Sequence, residues 1–219
     1  MTYQVKSTVE DTDLVEKRRG QIVTAATKLF ATNGFFRTTI KDIAGLAGIS
    51  QGLIYQYVTD KEDVLLLVLL DVLDGYAREL PAAFEGIADP FGRAIAAIRA
   101  YARVVDRRRK ATILAYRSTQ SLSENRRAII QNRELETNQI LGTLLSECLT
   151  EGVIRAVNVD ILTYQIVMMA HSWALKHWYF KSRFTLEQYV EHNLDLLFHG
   201  VLTETGKARW EGLRKPLLP

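Results

Sequence analysis

Two helix-start signals stand eleven residues apart and restrict what the first quarter of the chain can form. Thr39 and Asp42 have the spacing of a capping box, in which each side chain caps the other residue's backbone N–H, so a helix is predicted from Ile40. Gly48 is placed to end that helix, and Ser50 is placed to cap the next one. This spacing leaves room only for two short helices joined by a tight turn, which is the helix-turn-helix arrangement.

Helical periodicity dominates the remaining sequence, and no alternating strand pattern is present. One helix is predicted over about 14–33, and a fourth helix is predicted from Asp60 to about Leu80, before Pro81. Longer helices follow, and the last of them is predicted to end at Gly200. The predicted fold is all-α, with an N-terminal three-helix helix-turn-helix domain and a larger C-terminal helical domain for ligand binding and dimerisation.

The predicted domain scheme has three parts. A disordered N-terminal tail covers 1–13, the helix-turn-helix DNA-binding domain covers 14–62, and the helical ligand-binding and dimerisation domain covers 63–219. The 219 residues carry a formal net charge of only +3, so the molecule as a whole is not a polycation. Residues 17–61, however, include seven basic residues and only two acidic ones. This excess of positive charge suits an anionic partner or a solvated basic face.

Several classes of protein are disfavoured by the same sequence. Cys148 is the single cysteine, so the chain has no intramolecular disulfide and no cysteine metal cage. The polar N-terminus has no apolar core of a signal peptide, and the apolar run over 64–73 is too short to span a bilayer and contains Asp71. These features predict a soluble, cytoplasmic protein without a membrane partner.

The second short helix has a composition that packing alone does not explain. In a helix-turn-helix this helix lies in the major groove, with its N-terminal residues against base edges. Gly52 removes a side chain where the helix meets the DNA backbone, while the tyrosine hydroxyls and Lys61 suit phosphates. A surface helix with aromatic packing is the plainer alternative. The predicted DNA-contacting residues are Thr39, Lys41, Ser50, Gln51, Gly52, Leu53, Tyr55, Gln56, Tyr57 and Lys61.

The stretch LFATNGFFRTTIKDIAGLAGISQGLIYQYVTDKEDVL resembles the N-terminal DNA-binding domain of TetR-family transcriptional regulators. The matching elements are Gly34-Phe35, the 38–40 and 42–44 triplets, the 47–50 turn and Lys61-Glu62. Val58 departs from the family, which usually has phenylalanine there, and Tyr57 stands where histidine is common. The resemblance implies a homodimer that binds a palindromic operator on double-stranded DNA. It also implies a C-terminal domain that binds a small-molecule effector and thereby releases the DNA.

Two helices suggest how the dimer forms. The helix predicted over 160–180 is apolar on nearly every face, so every face must be covered. The last long helix, over 185–200, has a wide apolar stripe of its own. A homodimer through these two helices is the prediction, and a deeply buried core helix in a monomer is the alternative.

A cluster of aromatic residues in the C-terminal domain suggests the effector site. Met169, Trp173 and His177 are spaced four apart, with Trp178 beside them, and a concave small-molecule site uses such side chains. Tyr76, Tyr101 and Tyr116 on other helices are predicted to converge on them. Plain core packing is the alternative for each of these residues.

The run Arg107, Arg108, Arg109 and Lys110 suggests a phosphate subsite for an acyl-CoA thioester, with a solvated basic turn as the alternative. The segment SWALKHWYF followed by FTLEQY resembles the C-terminal domain of TetR-family members that respond to acyl-CoA. The predicted ligand-binding residues are Tyr76, Tyr101, Tyr116, Met169, Trp173, His177, Trp178, Arg107, Arg108 and Arg109.

Enzyme functions have no support in the sequence. It contains no phosphate-binding glycine loop, no GxSxG and no HExxH, and its four histidines lack the spacing that seats zinc on one helix. No catalytic residue, metal ligand or cofactor is predicted. The predicted function is a ligand-responsive transcriptional regulator, most simply a repressor. The alternatives are a small-molecule sensor or carrier that does not act on DNA, and a DNA-binding protein without an effector.

Overall fold

The computed structural model describes residues 5–214, and within this range the chain forms eleven α-helices and one short 3-10 turn. No strand occurs in this range, although Ile154 and Leu202 form an isolated antiparallel bridge. The predicted all-α fold is therefore confirmed. The helices are α1 Thr12–Asn33, α2 Ile40–Ala47, α3 Gln51–Ile54, α4 Lys61–Phe84, α5 Pro90–Arg107, α6 Arg109–Ser118, α7 Glu124–Thr150, α8 Val159–Leu175, α9 His177–Phe180, α10 Leu186–Val201 and α11 Glu204–Leu213.

Local capping sets the boundaries of the helix-turn-helix. The Thr39 hydroxyl accepts the Asp42 N–H at 3.1 Å, and the Asp42 carboxylate accepts the Thr39 N–H at 2.9 Å. Gly48 ends α2 at φ 70°, a left-handed conformation that glycine adopts without the steric cost of a Cβ. The Ser50 hydroxyl then accepts the Leu53 N–H at 3.2 Å and so caps α3.

The described chain forms two compact units. Unit 1 consists of residues 5–74 and 110–134, and unit 2 consists of residues 75–109 and 135–214. The predicted boundary after residue 62 falls inside unit 1, and that unit also contains α6 and the start of α7.

The core of unit 1 holds the short helices in place. Ile22 and Phe30 of α1, Ile43 of α2 and Ile54 of α3 are each at most 2% exposed. Val58, the departure from the family pattern, is 1% exposed and still fills a core position. Burial of such side chains contributes about 1.5–3 kcal/mol each, so the short α3 is held mainly by packing.

Unit 2 is built around α5, α8 and α10, which pack against one another. Phe91 of α5, Phe198 of α10 and Trp210 of α11 form an edge-to-face cluster with ring centroids 5.1–6.4 Å apart. α11 packs closely against the loop before α8 at Gly206. A Cβ added at Gly206 would lie 2.1 Å from the Val153 carbonyl oxygen.

Four sequence-based boundaries differ from the structure. Helix α4 continues through Pro81 to Phe84, because a proline in the last turn removes only one hydrogen bond and Leu80 is fully buried. The predicted helix over 160–180 breaks at Lys176 into α8 and α9. Helix α11 follows where the last long helix was predicted to end.

The fourth difference concerns the predicted disordered tail over 1–13. Thr12 and Asp13 belong to α1, and residues 5–11 form a non-helical segment in which the Thr8 N–H donates to the Gln56 carbonyl at 2.9 Å. Residues 1–4 lie outside the described range, as do residues 215–219. No helix in the described range has the length and hydropathy needed to cross a bilayer.

Candidate nucleic-acid interface and effector site

The short helix α3 presents one polar face to solvent. Gln51, Gly52, Tyr55 and Gln56 are exposed, while Ile54 on the opposite face is fully buried. Nothing lies within 4 Å of a Cβ added at Gly52, so the space in front of this glycine is open. This face therefore offers amide and hydroxyl groups beside an uncovered stretch of backbone, as a groove-reading helix requires.

The start of α2 lies in the same unit and adds two further predicted residues. Thr39 and Lys41 are both exposed. The Thr39 hydroxyl donates to the Asp42 carboxylate at 2.7 Å, and the side-chain and backbone hydrogen bonds from Thr39 hold the pKa of Asp42 below its usual range. Ser50 is exposed and caps α3, and Leu53 is partly buried. These residues form a capped and accessible surface.

Two predicted DNA contacts have a different environment from the one expected. The Tyr57 side chain is only 2% exposed and belongs to the core. The Lys61 ammonium donates to the carbonyl oxygens of Phe35, Phe36 and Thr38 at 3.0–3.1 Å, which uses its three N–H groups. The ammonium also lies 4.6 Å from the centre of the Phe35 ring. Lys61 therefore ties the start of α4 to the turn between α1 and α2.

A cluster of charged residues centred on the largely buried pair of Arg126 and Asp63, which sequence reasoning missed, joins α7 to the start of α4. The Arg126 guanidinium donates to Asp63 at 2.9 and 3.0 Å, to Asp60 at 2.7 Å and to Glu62 at 3.0 Å. Burial alone would lower the pKa of Arg126, but the hydrogen bonds and charges of Asp63 and Asp60 outweigh it and raise the pKa. The partners lie more than sixty residues apart in sequence, so no local pattern indicates them.

Unit 2 brings two of the predicted effector residues together. The Tyr76 and Tyr101 rings stack with centroids 4.1 Å apart, and the Tyr101 hydroxyl lies 3.1 Å from Nε2 of His171. Burial lowers the pKa of His171 to about 4, so this imidazole is neutral at neutral pH. Sequence reasoning named both tyrosines and missed His171, which is on the same helix as Met169 and Trp173.

A second cluster surrounds Trp173. Its ring lies 5.1 Å from both His177 and Tyr189, and its indole N–H donates to the Asp106 carboxylate at 2.6 Å. Asp106 also forms an ion pair with Arg109. Burial, followed by the charge of Arg109, lowers the pKa of His177. Trp173, His177 and Arg109, which are all predicted effector residues, are thus gathered near the Asp106 carboxylate, which sequence reasoning did not name.

The other predicted effector residues are more scattered. Met169 is partly buried, and its carbonyl oxygen accepts the Tyr189 hydroxyl at 2.7 Å, while Trp178 is 71% exposed. Arg107 forms an ion pair with Glu79, and Arg108 lies beside Gly75. Tyr116 is part of unit 1 and is 47% exposed.

Comparisons with known proteins identify the family. Residues 22–68 match the family described as bacterial regulatory proteins, tetR family, and residues 89–201 match the family described as tetracyclin repressor-like, C-terminal domain. The chain is 51% identical over 204 residues to the HTH-type transcriptional regulator HbdR of Aromatoleum sp. (strain CIB), a match that covers 93% of this chain and 89% of HbdR.

A more distant relative has a solved structure. The chain is 25% identical over 193 residues to the HTH-type transcriptional repressor KstR2 of Mycobacterium tuberculosis (strain ATCC 25618 / H37Rv), covering 87% of this chain and 96% of KstR2. The structure of the ketosteroid transcriptional regulator KstR2 of Mycobacterium tuberculosis has a TM-score of 0.70 at 24% identity, covering 92% of this chain and 100% of that chain. With matches to both family descriptions and a relative identical at half of its aligned positions, this chain belongs to the TetR family of transcriptional regulators.

Proposed function

We propose that this regulator is a homodimeric repressor that binds a palindromic operator through α3 and is released by a small, largely apolar effector. The observation that carries the proposal is the exposed polar surface of α3 and the turn after it, formed by Gln51, Tyr55 and Gln56 beside the open backbone at Gly52. A partner that displays hydrogen-bonding base edges and phosphates would satisfy these groups. A regulator that binds such an operator would act in the cytoplasm.

Duplex selection followed by salt titration tests the DNA part of the proposal. An operator would be selected from a random duplex library, and its affinity compared with that of a mixed-sequence duplex by fluorescence anisotropy. We expect tighter binding to the selected duplex and affinities that fall with salt. Gln51→Ala should lower the preference for the selected duplex more than it lowers non-specific binding. A wild-type protein that binds no duplex would favour the alternative function, a sensor or carrier that does not act on DNA.

An exposed apolar surface on α8 and α10 supports the homodimer. Ile161, Tyr164 and Met168 lie on one face of α8 and are 42–62% exposed, and Leu196 of α10 is 76% exposed. Large apolar side chains grouped in this way mark a protein-binding surface. A second copy of the chain would cover these residues with the same residues of its own, as a two-fold interface does.

The clusters around Trp173 and Tyr101 support an effector with a large apolar part. Trp173, Phe180 and Tyr189 offer ring faces, while Asp106 and His177 offer polar atoms at the edge of the same cluster. KstR2 is described as a ketosteroid regulator, which agrees with an apolar effector. Because α4 contains Tyr76 as well as Lys61, displacement of Tyr76 would move the helix that begins at the DNA-binding motif.

A fatty or aromatic acyl-CoA thioester is the first class of effector to test. Arg109 lies at the edge of the Trp173 cluster, but Arg107 and Arg109 are each paired with a carboxylate, which weakens their attraction for phosphates. Calorimetry on a carboxylic acid and its CoA thioester is the decisive comparison. We expect the thioester to bind more tightly and the double variant Arg107→Gln, Arg109→Gln to remove the difference. Equal affinities in the wild type would reject the thioester and leave an unesterified hydrophobic effector.

A further inference from the structure

The segment before α1 is fastened to the end of the candidate recognition helix. The Gln56 carbonyl accepts the Thr8 N–H at 2.9 Å and the Ser7 hydroxyl at 3.0 Å. The Arg19 guanidinium donates to the carbonyls of Val5 at 2.6 Å and Tyr57 at 3.1 Å, so one side chain bridges both segments. We call residues 5–10 the N-terminal arm. Hydrogen bonds from its backbone and from the Arg19 side chain therefore set its position beside residues 56 and 57.

The side chains of the arm alternate in exposure, and the chain bends at Thr8. Val5, Ser7 and Val9 are partly buried, while Lys6, Thr8 and Glu10 are exposed. The Lys6 side chain is therefore accessible to a partner. Its Cα lies within about 7 Å of the Cα of Thr8, since two residues of a fully extended chain span at most about 7 Å.

From this placement we infer that the N-terminal arm is part of the DNA-binding surface and that Lys6 contacts a phosphate of the duplex. The inference rests on the proposed DNA-binding function. A duplex held by the exposed Tyr55 and Gln56 would run past the residues to which the arm is bonded. Lys6 is the one cation among residues 5–10, and its ammonium is a point charge suited to a phosphate. Arg19 and Lys61, by contrast, donate hydrogen bonds to backbone carbonyls of the protein.

Residues 5–10 contain one lysine and one glutamate, so the arm adds no net charge and would act through the position of Lys6. A segment that precedes the first helix and supplements a recognition helix is a known physical solution to DNA binding, because phosphate contacts fix register while the helix reads bases. Glu10 is also exposed and would oppose a phosphate placed near it. The contact is therefore assigned to the end of the arm that carries Lys6.

The test is the salt dependence of duplex binding by the full chain, measured by fluorescence anisotropy between about 50 and 200 mM salt on the selected operator and on a mixed-sequence duplex. Lys6→Ala should lower the slope of log affinity against log salt by about 0.9 for each protomer bound, or about 1.8 for the proposed dimer, on both duplexes, and Lys6→Arg should restore it. Thr8→Pro removes the N–H that bonds to Gln56, and we expect a loss of similar size although Lys6 is retained. Lys207→Ala, an exposed lysine on α11, is the matched control and should keep the wild-type slope.

Each outcome decides the inference. A wild-type slope for Lys6→Ala, with salt-dependent binding by the wild-type chain, would overturn the role of the arm and leave the proposed function standing. A wild-type chain that binds neither duplex would overturn both. Because the Lys6 side chain is exposed, we expect Lys6→Ala to melt at the wild-type temperature by circular dichroism. An unchanged melting temperature would show that the lower slope is not caused by unfolding.

Discussion

Two lysines of the DNA-binding motif have different surroundings and therefore different expected roles. Lys61 donates to three carbonyls, whereas Lys41 is exposed at the start of α2. Lys61→Ala should lower the free energy of unfolding by about 1–3 kcal/mol, because it leaves acceptors unpaired, and should keep the wild-type salt slope. Lys41→Ala should keep the stability and lower the salt slope by about 0.9 for each protomer bound. Urea denaturation and anisotropy on both variants check this, and a lower slope for Lys61→Ala would contradict it.

His171 makes stability depend on pH in a predictable direction. Burial lowers its pKa from 6.5 to about 4, so between these values the unfolded chain binds a proton that the folded chain does not. Stability from this group is complete above about pH 6.5 and falls as the pH decreases towards 4, by about 3 kcal/mol in total.

The substitution His171→Gln isolates this contribution. Glutamine keeps a neutral hydrogen-bonding group near the Tyr101 hydroxyl and cannot take up a proton. Urea denaturation at several pH values should show a shallower loss of stability below pH 6.5 than in the wild type. Identical pH dependence in His171→Gln and the wild type would refute the role of His171.

At the scale of elements, the guanidinium of Arg126 links α7 to the start of α4. Arg126 is 11% exposed and Asp63 is fully buried, so this ion pair is largely removed from water. Arg126→Met would leave the Asp63 carboxylate buried without its guanidinium, and breaking a buried pair in this way costs about 3–5 kcal/mol. Arg133 provides the matched control, because its pair with Asp74 on the same two helices is exposed.

Urea denaturation of the two arginine variants separates buried from exposed pairs. Arg133→Met should cost about 0–1 kcal/mol. If Arg126→Met cost no more than Arg133→Met, the Arg126 cluster would not be what secures α7 to α4. The prediction concerns unit 1 alone, since Arg126, Asp63, Arg133 and Asp74 all belong to it.

Sequence reasoning succeeded for the elements that local patterns define. The caps at Thr39 and Ser50 and the glycine at 48 agree with the structure, because each involves residues within four positions of one another. The all-α fold followed from periodicity for the same reason. The residues proposed from composition to contact DNA include Gln51, Gly52, Tyr55 and Gln56, which are exposed, and Tyr57, which is buried.

What sequence reasoning missed depends on contacts between distant residues. Proline at 81 looked like the end of α4, but burial of Leu80 keeps the helix intact. The carbonyl partners of Lys61 lie 23–26 positions away, and no local pattern distinguishes a lysine that caps carbonyls from one that binds phosphate. His171, the partner of Tyr101, lies 70 positions away in the sequence, so no local pattern indicates that it belongs to the cluster of Tyr76 and Tyr101.

For the whole molecule, the exposed apolar face of α8 and α10 sets which substitutions test dimerisation. Leu194 has an obvious place in the apolar stripe of α10, yet it is fully buried within the chain, so a charge there would unfold the protein. Ile161 and Leu196 are 62% and 76% exposed and belong to the surface that a second copy would cover. These two positions can take aspartate without disturbing the core of unit 2.

Ile161→Asp and Leu196→Asp should each shift the protein to monomers, because a two-fold interface would bury the new charge twice without a partner. Light scattering at micromolar concentration measures the mass, and Leu135→Asp, at an exposed leucine on α7, should leave it unchanged.

The same variants test how the operator is read. Two recognition helices about 34–36 Å apart bind half-sites one turn apart as a unit, so a monomer should bind a full palindrome no more tightly than a single half-site. Its non-specific, salt-dependent binding should persist at a lower affinity, since each protomer keeps its own α3 and basic residues. A wild-type protein of monomer mass that still preferred the full palindrome would show that operator reading does not need this interface.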